Sequence, residues 1–195
     1  MEKFVVFEGI DGCGKSTALE ALYDFLWNET TDSIRVGTEP TSYESGELIR
    51  KALGGSIEGI SSEILLGMFL ADRAIHQKEI SIANVRRSWY LCDRYIYSNM
   101  VYNAKDDEDM KRIEKLNSKF IQPDVVFYID TPVETCLDRI ARRNGKKEIF
   151  ENKEKLTEAK RRYDMIADSG KMVRIDGTLS ERNVLEEILK VLNLR

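Results

Sequence analysis

A chain of 195 residues with 30 basic and 34 acidic side chains, net charge -4, is long enough to bury one core and short for two, so one domain over 1–195 is expected. That acidic balance argues against general nucleic-acid binding, which needs a clustered basic surface. Cys13, Cys92 and Cys136 are odd in number and widely spaced, which fits neither a disulfide framework nor a metal cluster. The opening apolar run at 4–7 is too short for a signal-peptide core or a membrane span, so the expected setting is a reducing cytoplasm with no membrane partner.

Phe4-Val5-Val6-Phe7 is β-branched and aromatic, which predicts a buried strand ending at Glu8-Gly9. Leu19, Leu22, Phe25 and Leu26 then fall at helical spacing over 16–27, so strand, glycine loop and helix follow in succession. A weaker strand is expected at 34–37, a helix at 45–53 stopped by Gly54-Gly55, and a long helix from 61 to about 86. A strand at 88–92 would deliver Asp93-Arg94-Tyr95 at its carboxyl end. The run Lys105-Asp106-Asp107-Glu108-Asp109 reads as a solvated loop before a helix at 110–120. A strand at 125–129 and a helix from Pro132 to 143 come next. A charged stretch over 144–155 leads into a helix ending near Gly170, and a fifth strand lies at 172–175. Strands alternating with helices imply a parallel sheet covered on both faces, with ligands outside the carboxyl ends of its strands.

Gly9-Ile10-Asp11-Gly12-Cys13-Gly14-Lys15-Ser16 matches the phosphate-cradling P-loop in full, and Thr17 follows it. Glycines at 9 and 14 let successive N–H groups face phosphates, and the next helix adds its positive end. Lys15 then reaches the β and γ phosphates, while the Ser16 hydroxyl joins a Mg²⁺ shell. Asp11 is assigned to magnesium and acceptor organisation, and Asp93 to holding magnesium through water; the competing reading of Asp93 is a salt bridge with Arg94. Cys13 has two readings, a thiol activated by the loop amides or a small residue filling a tight turn. A switch GTPase would need Asn-Lys-x-Asp, and Asn152-Lys153-Glu154-Lys155 lacks the final aspartate.

Four blocks carry a family resemblance: 7–17, Thr38-Glu39-Pro40, Phe69-Leu70-Ala71-Asp72-Arg73, and Asp93-Arg94-Tyr95 followed by Ser98, Asn99 and Tyr102. Together they resemble the thymidylate kinase family over nearly the whole chain. The resemblance implies a P-loop NTPase of the nucleoside monophosphate kinase kind, a five-stranded parallel sheet with a short lid near 142–155, and transfer of a phosphoryl group from ATP to dTMP with Mg²⁺. It also implies a homodimer through the long helix.

In the family, the arginine matching Arg94 grips the acceptor phosphate, and a planar guanidinium suits paired oxygens. Arg50 would assist. Phe69 and Arg73, four apart on one helix face, would stack on the pyrimidine and donate to its O4, although core packing is the plainer reading of Phe69. Asn99 and Tyr102 would line base and deoxyribose, Ser98 would belong to the same dTMP site, and Glu39-Pro40 would shape the pocket. Thr38 departs from the arginine often found there. Arg139 resembles the arginine packing on adenine, and Asp176-Gly177-Thr178 the loop bordering it.

The loop itself offers no basic residue at 10–13, so the cation for the transition state is expected from Arg142, Arg143, Lys146 or Lys147, with Arg143 and Lys147 taken as catalytic. The rivals left open are a kinase for another nucleoside monophosphate or a deoxynucleoside, and a nucleotide-binding module without catalysis.

Overall fold

The computed structural model describes residues 3–86, 88–144 and 149–194, without the side chains of 85, 143, 144 and 149–152. Among the described residues thirteen elements follow one another as β1 (Phe4–Glu8), α1 (Lys15–Glu29), β2 (Ile34–Thr38), α2 (Glu44–Leu53), α3 (Ser62–Val85), β3 (Trp89–Asp93), α4 (Ile96–Asn103), α5 (Asp107–Asn117), β4 (Val125–Asp130), α6 (Val133–Asn144), α7 (Ile149–Asp168), β5 (Val173–Asp176) and α8 (Glu181–Val191). The five strands form one parallel sheet in the order β2-β3-β1-β4-β5, with helices on both faces.

Burial follows that order. β1 is buried along its whole length, and β3 and β4 everywhere but their last residue, because helices cover both faces of the central strands. The outer strands β2 and β5 alternate with solvent. β1 pairs with β3 so that Phe7 lies opposite Asp93, and with β4 so that Glu8 lies opposite Tyr128. The carboxyl ends of the inner strands therefore finish level, and a ligand there meets side chains from all of them.

Three elements differ from expectation, the first being α4 (Ile96–Asn103), which was not expected at all. The acidic run before α5 is not all loop: the Asp106 carboxylate accepts from the Asp109 amide at 2.8 Å, making Asp106 the N-cap, and Asp107, Glu108 and Asp109 form the first turn. Acidic side chains suit that end of a helix, whose dipole is positive. α7 starts at Ile149, inside the stretch read as a charged lead-in, while 145–148 lie outside the described residues.

Candidate active site

The P-loop wraps between β1 and α1 because its backbone can go where side chains cannot. Gly9 has φ 146°, and a Cβ there would sit 2.7 Å from Cys13 Sγ and 3.0 Å from the Ile129 carbonyl oxygen. α1 opens on Gly14, with no side-chain cap and no acidic residue in its first turn, so its leading amides are left for an external anion. Ile10 is buried beneath the loop. Burial pushes the Cys13 thiol up against the opposing charge of Lys15, so of its two readings the small buried filler is the one the geometry supports.

Opposed charges converge above the loop. Arg94 Nη2 donates to Asp11 Oδ1 at 2.6 Å, and Lys15 Nζ stands 3.7 Å from the same oxygen. Ser16 Oγ donates to Asp93 Oδ2 at 2.7 Å, joining the first residue pair of the helix to the end of β3. The other carboxylate oxygen, Asp93 Oδ1, is buried and without a hydrogen-bond partner. No Asp93–Arg94 ion pair is found among the described residues; Arg94 turns instead to Asp11 and Ser98. It does so from a left-handed backbone, φ 67°, which side chains other than glycine rarely adopt.

These groups wall a cavity of about 710 Å³. Its lining runs from Asp11 and 12–17 through Asp93 and Arg94 to Glu39, Pro40 and Arg50 on one side, and to Arg139, Gly177 and Leu179 on the other. Arg139 Nη1 donates to the Cys13 carbonyl at 2.9 Å and Nη2 to the Gly177 carbonyl at 3.0 Å, fastening α6 to both loops. Thr178 folds back onto Asp176 through its amide and hydroxyl. The cavity thus runs from the glycine loop, past a basic arm at Arg50 and Arg94, to a wall formed by Arg139 and Gly177.

A family model described as thymidylate kinase matches residues 7–188. The chain belongs to the thymidylate kinase family. It is 42% identical over 163 residues to a probable thymidylate kinase of Methanococcus aeolicus, covering 84% of this chain and 78% of the relative. It is 37% identical over 192 residues to the thymidylate kinase of Leptospira interrogans, covering 96% and 92%. The thymidylate kinase of Akkermansia muciniphila is 32% identical over 195 residues, covering 99% and 92%.

The remaining residues singled out by the thymidylate kinase resemblance divide into two groups. Glu39, Pro40, Arg50 and Arg94 line the cavity, with Arg50 Nη1 donating to the Pro40 carbonyl at 3.1 Å. Phe69, Arg73, Ser98, Asn99 and Tyr102 do not line it and stand behind or beside it. Arg73 is only 1% exposed: it clamps Glu39 with Nε, at 2.9 Å, and Nη2, reaches Asn117 with Nη1, and lies over the Tyr95 ring. Tyr102 packs its ring against the Arg94 guanidinium, 5.2 Å from the centroid. Asn99 is buried; its Oδ1 accepts from Asn117 at 3.1 Å, while its Nδ2 has no partner. Lys146 and Lys147 lie outside the described residues, and of Arg143 only the backbone is described.

Glu8 was not singled out by the sequence and proves central. Fully buried at the end of β1, its Oε1 accepts from the amides of Tyr95 (2.9 Å) and Ser98 (3.0 Å), the leading amides of α4. Its Oε2 accepts from the hydroxyls of Ser98 (2.6 Å) and Tyr163 (2.8 Å). From α7, Arg162 donates to the Val101 and Ala104 carbonyls at 2.7 and 2.8 Å and so closes the other end of α4. The helix carrying Ser98, Asn99 and Tyr102 is therefore held by β1 and α7. The signal in the sequence was a lone carboxylate at the end of an apolar strand. Glu8→Ala leaves these donors buried and unpaired, and urea unfolding is expected to show a loss of about 3 kcal/mol.

Proposed function

We propose that this chain transfers the γ-phosphoryl group of ATP to dTMP, giving ADP and dTDP. The observation that carries the reading is that Asp11 draws Lys15, the donor-phosphate lysine, and Arg94, the acceptor-phosphate arginine, to one carboxylate oxygen. A donor γ-phosphate and an acceptor phosphate held by these two cations would be brought together over Asp11, with the acceptor oxygen able to attack the γ-phosphorus as the bond to the ADP oxygen breaks. Arg139 and the loop at Gly177 would hold the adenine. Glu39, Pro40, Arg50 and Arg94, backed by Phe69, Arg73, Ser98, Asn99 and Tyr102, would hold dTMP. The partnerless Asn99 amide is a donor with the character a pyrimidine edge needs.

Magnesium fits the phosphate end. A serine hydroxyl bonded to a carboxylate whose second oxygen is buried and unpaired suits a hard cation and its waters, with Asp11 nearby. Ser16, Asp93 through water, and Asp11 would hold Mg²⁺, which when bound neutralises charge on the ATP phosphates. Lys15 and Arg94 would orient the phosphates.

The segment near 142–155 is proposed as a lid of the single domain, and Arg143 and Lys147 as its catalytic cations, since the loop positions 10–13 carry none. Because such contacts strengthen in the transition state, the Arg143→Ala, Lys147→Ala double variant is expected to lower kcat about a hundredfold with little change in the KM for dTMP. Unchanged kcat would remove the assignment.

Among the described residues no helix is long and apolar enough to cross a membrane, and a cytoplasmic site of action is proposed. A homodimer is also proposed, since Ile64 and Ile75 stand half exposed on α3, as do Leu48 and Leu53 on α2. Sedimentation of a single-chain mass would overturn it.

The substrate assignment is tested by coupled ADP release with dTMP, dUMP, UMP, CMP, AMP and thymidine. The highest kcat/KM is expected for dTMP; a higher value for any other acceptor, or ATP binding with no turnover of any, overturns the reading.

A further inference from the structure

The back of the P-loop is tied to the sheet at one carbonyl. β4 lies beside β1, with Tyr128 opposite Glu8, so the residue that follows β4 reaches the loop that follows β1. That residue is Thr131, 1% exposed, whose hydroxyl donates to the Cys13 carbonyl at 2.8 Å. A carbonyl can only accept, so the direction of the bond is fixed. The same oxygen takes a second donor, Arg139 Nη1, at 2.9 Å. The loop after β5 leaves space for the joint: a Cβ on Gly177 would collide with the Thr131 hydroxyl and lie 3.0 Å from the Cys13 carbonyl oxygen.

The orientation of that carbonyl decides where the next amide points. The Cys13–Gly14 bond is trans, and in a trans peptide C=O and N–H point opposite ways. Turning the Cys13 oxygen onto Thr131 therefore turns the Gly14 N–H away from β4. Gly14 lines the cavity and Thr131 does not, so this amide is aimed at the side where donor phosphates would lie. The amide before it, at Cys13, turns inward to the Ile10 carbonyl at 3.3 Å, which leaves the cradle to Gly14 and the leading amides of α1.

We infer that Thr131 is a positioning residue of the ATP site, whose hydroxyl holds the Cys13–Gly14 peptide in the plane that presents the Gly14 N–H to the donor phosphates. It touches no substrate itself. Arg139, the other donor, comes from α6, the helix that leads into the proposed lid, whereas Thr131 is seated at the end of a sheet strand. A peptide held by Arg139 alone would follow α6; with Thr131 it follows the sheet. The inference rests on the ATP half of the proposed function and not on dTMP as the acceptor.

Thr131→Val keeps the shape and removes the donor, and Arg139 still satisfies the carbonyl, so the variant should fold. Its KM for ATP is expected to rise about tenfold with kcat and the KM for dTMP unchanged, because a loop amide binds donor phosphates equally in ground and transition states. Thr131→Ser restores the hydroxyl and should bring the KM for ATP back to within about twofold of the unmodified enzyme. An unchanged KM for ATP in Thr131→Val overturns the inference, as does an equal rise for both substrates or a failure of serine to restore it. Calorimetry with ADP needs no acceptor: affinity about tenfold weaker in the valine variant and recovered with serine supports Thr131. Equal ADP affinities in the unmodified protein and both variants overturn it. Absence of dTMP turnover in the unmodified enzyme counts against the acceptor assignment instead, and the ADP affinities still decide Thr131.

Discussion

Lys15→Met is expected to lower kcat about a thousandfold while the KM for dTMP changes little, as read by coupled ADP release at saturating ATP. Methionine nearly matches the length of the lysine stem, and the position is buried at the base of α1, so packing survives the change. What is lost is a fixed cation at the phosphates, in a site where charge is screened less than in water. A thousandfold is about 4 kcal/mol of transition-state stabilisation. Asp11 still has Arg94 as a partner at 2.6 Å, so the variant leaves no uncompensated buried carboxylate and should fold. A kcat within a factor of about five of wild type would show that the lysine serves binding alone.

Arg94→Lys should be nearly as damaging, and on both constants: the KM for dTMP is expected to rise about a hundredfold and kcat to fall by a similar factor. Charge is kept, so the loss isolates geometry. The guanidinium divides its donors between Asp11 and Ser98 and sits over the Tyr102 ring, while Glu8 holds Ser98. An ammonium cannot present a planar pair of donors to a phosphate or stack in this way. The left-handed backbone at 94 is equally costly for either residue, so the comparison is free of that term. If Arg94→Lys kept the wild-type KM, the acceptor phosphate would have to be held elsewhere, with Arg50 the nearest basic residue on the cavity wall.

The parts of this molecule that local sequence could foretell are those whose determinants are local. β1, β3 and β4 are apolar runs beside turn residues, and the P-loop is contiguous, so these strands and the glycine loop between β1 and α1 were readable. α4 was not. Its buried face includes Asn99 and Asn103 as well as Ile96, Met100 and Val101, and the carboxylate capping it is Glu8, some ninety residues earlier. No start signal stands beside it in the chain. The same holds for Arg73 and His76 on α3, whose partner Glu39 lies just past β2, far away in the chain. Spacing placed Phe69 and Arg73 on one helix face, yet it could not tell that Arg73 would be enclosed beneath the pocket. The acidic run at 105–109 misled for the opposite reason: a local signal, Asp106 capping Asp109, was present but looked like solvated charge.

The oxygen shared by Lys15 and Arg94 has a consequence for the order of events. Asp11 Oδ1 attracts both cations before either substrate arrives, so the phosphate that binds first draws one of them away and changes the field felt by the other. On the proposed roles of Lys15 and Arg94, the two substrates would then not bind independently. Whatever ATP does to the affinity for dTMP, dTMP must do to the affinity for ATP by the same factor, and a single loop aspartate makes the two half-sites heterotropic partners.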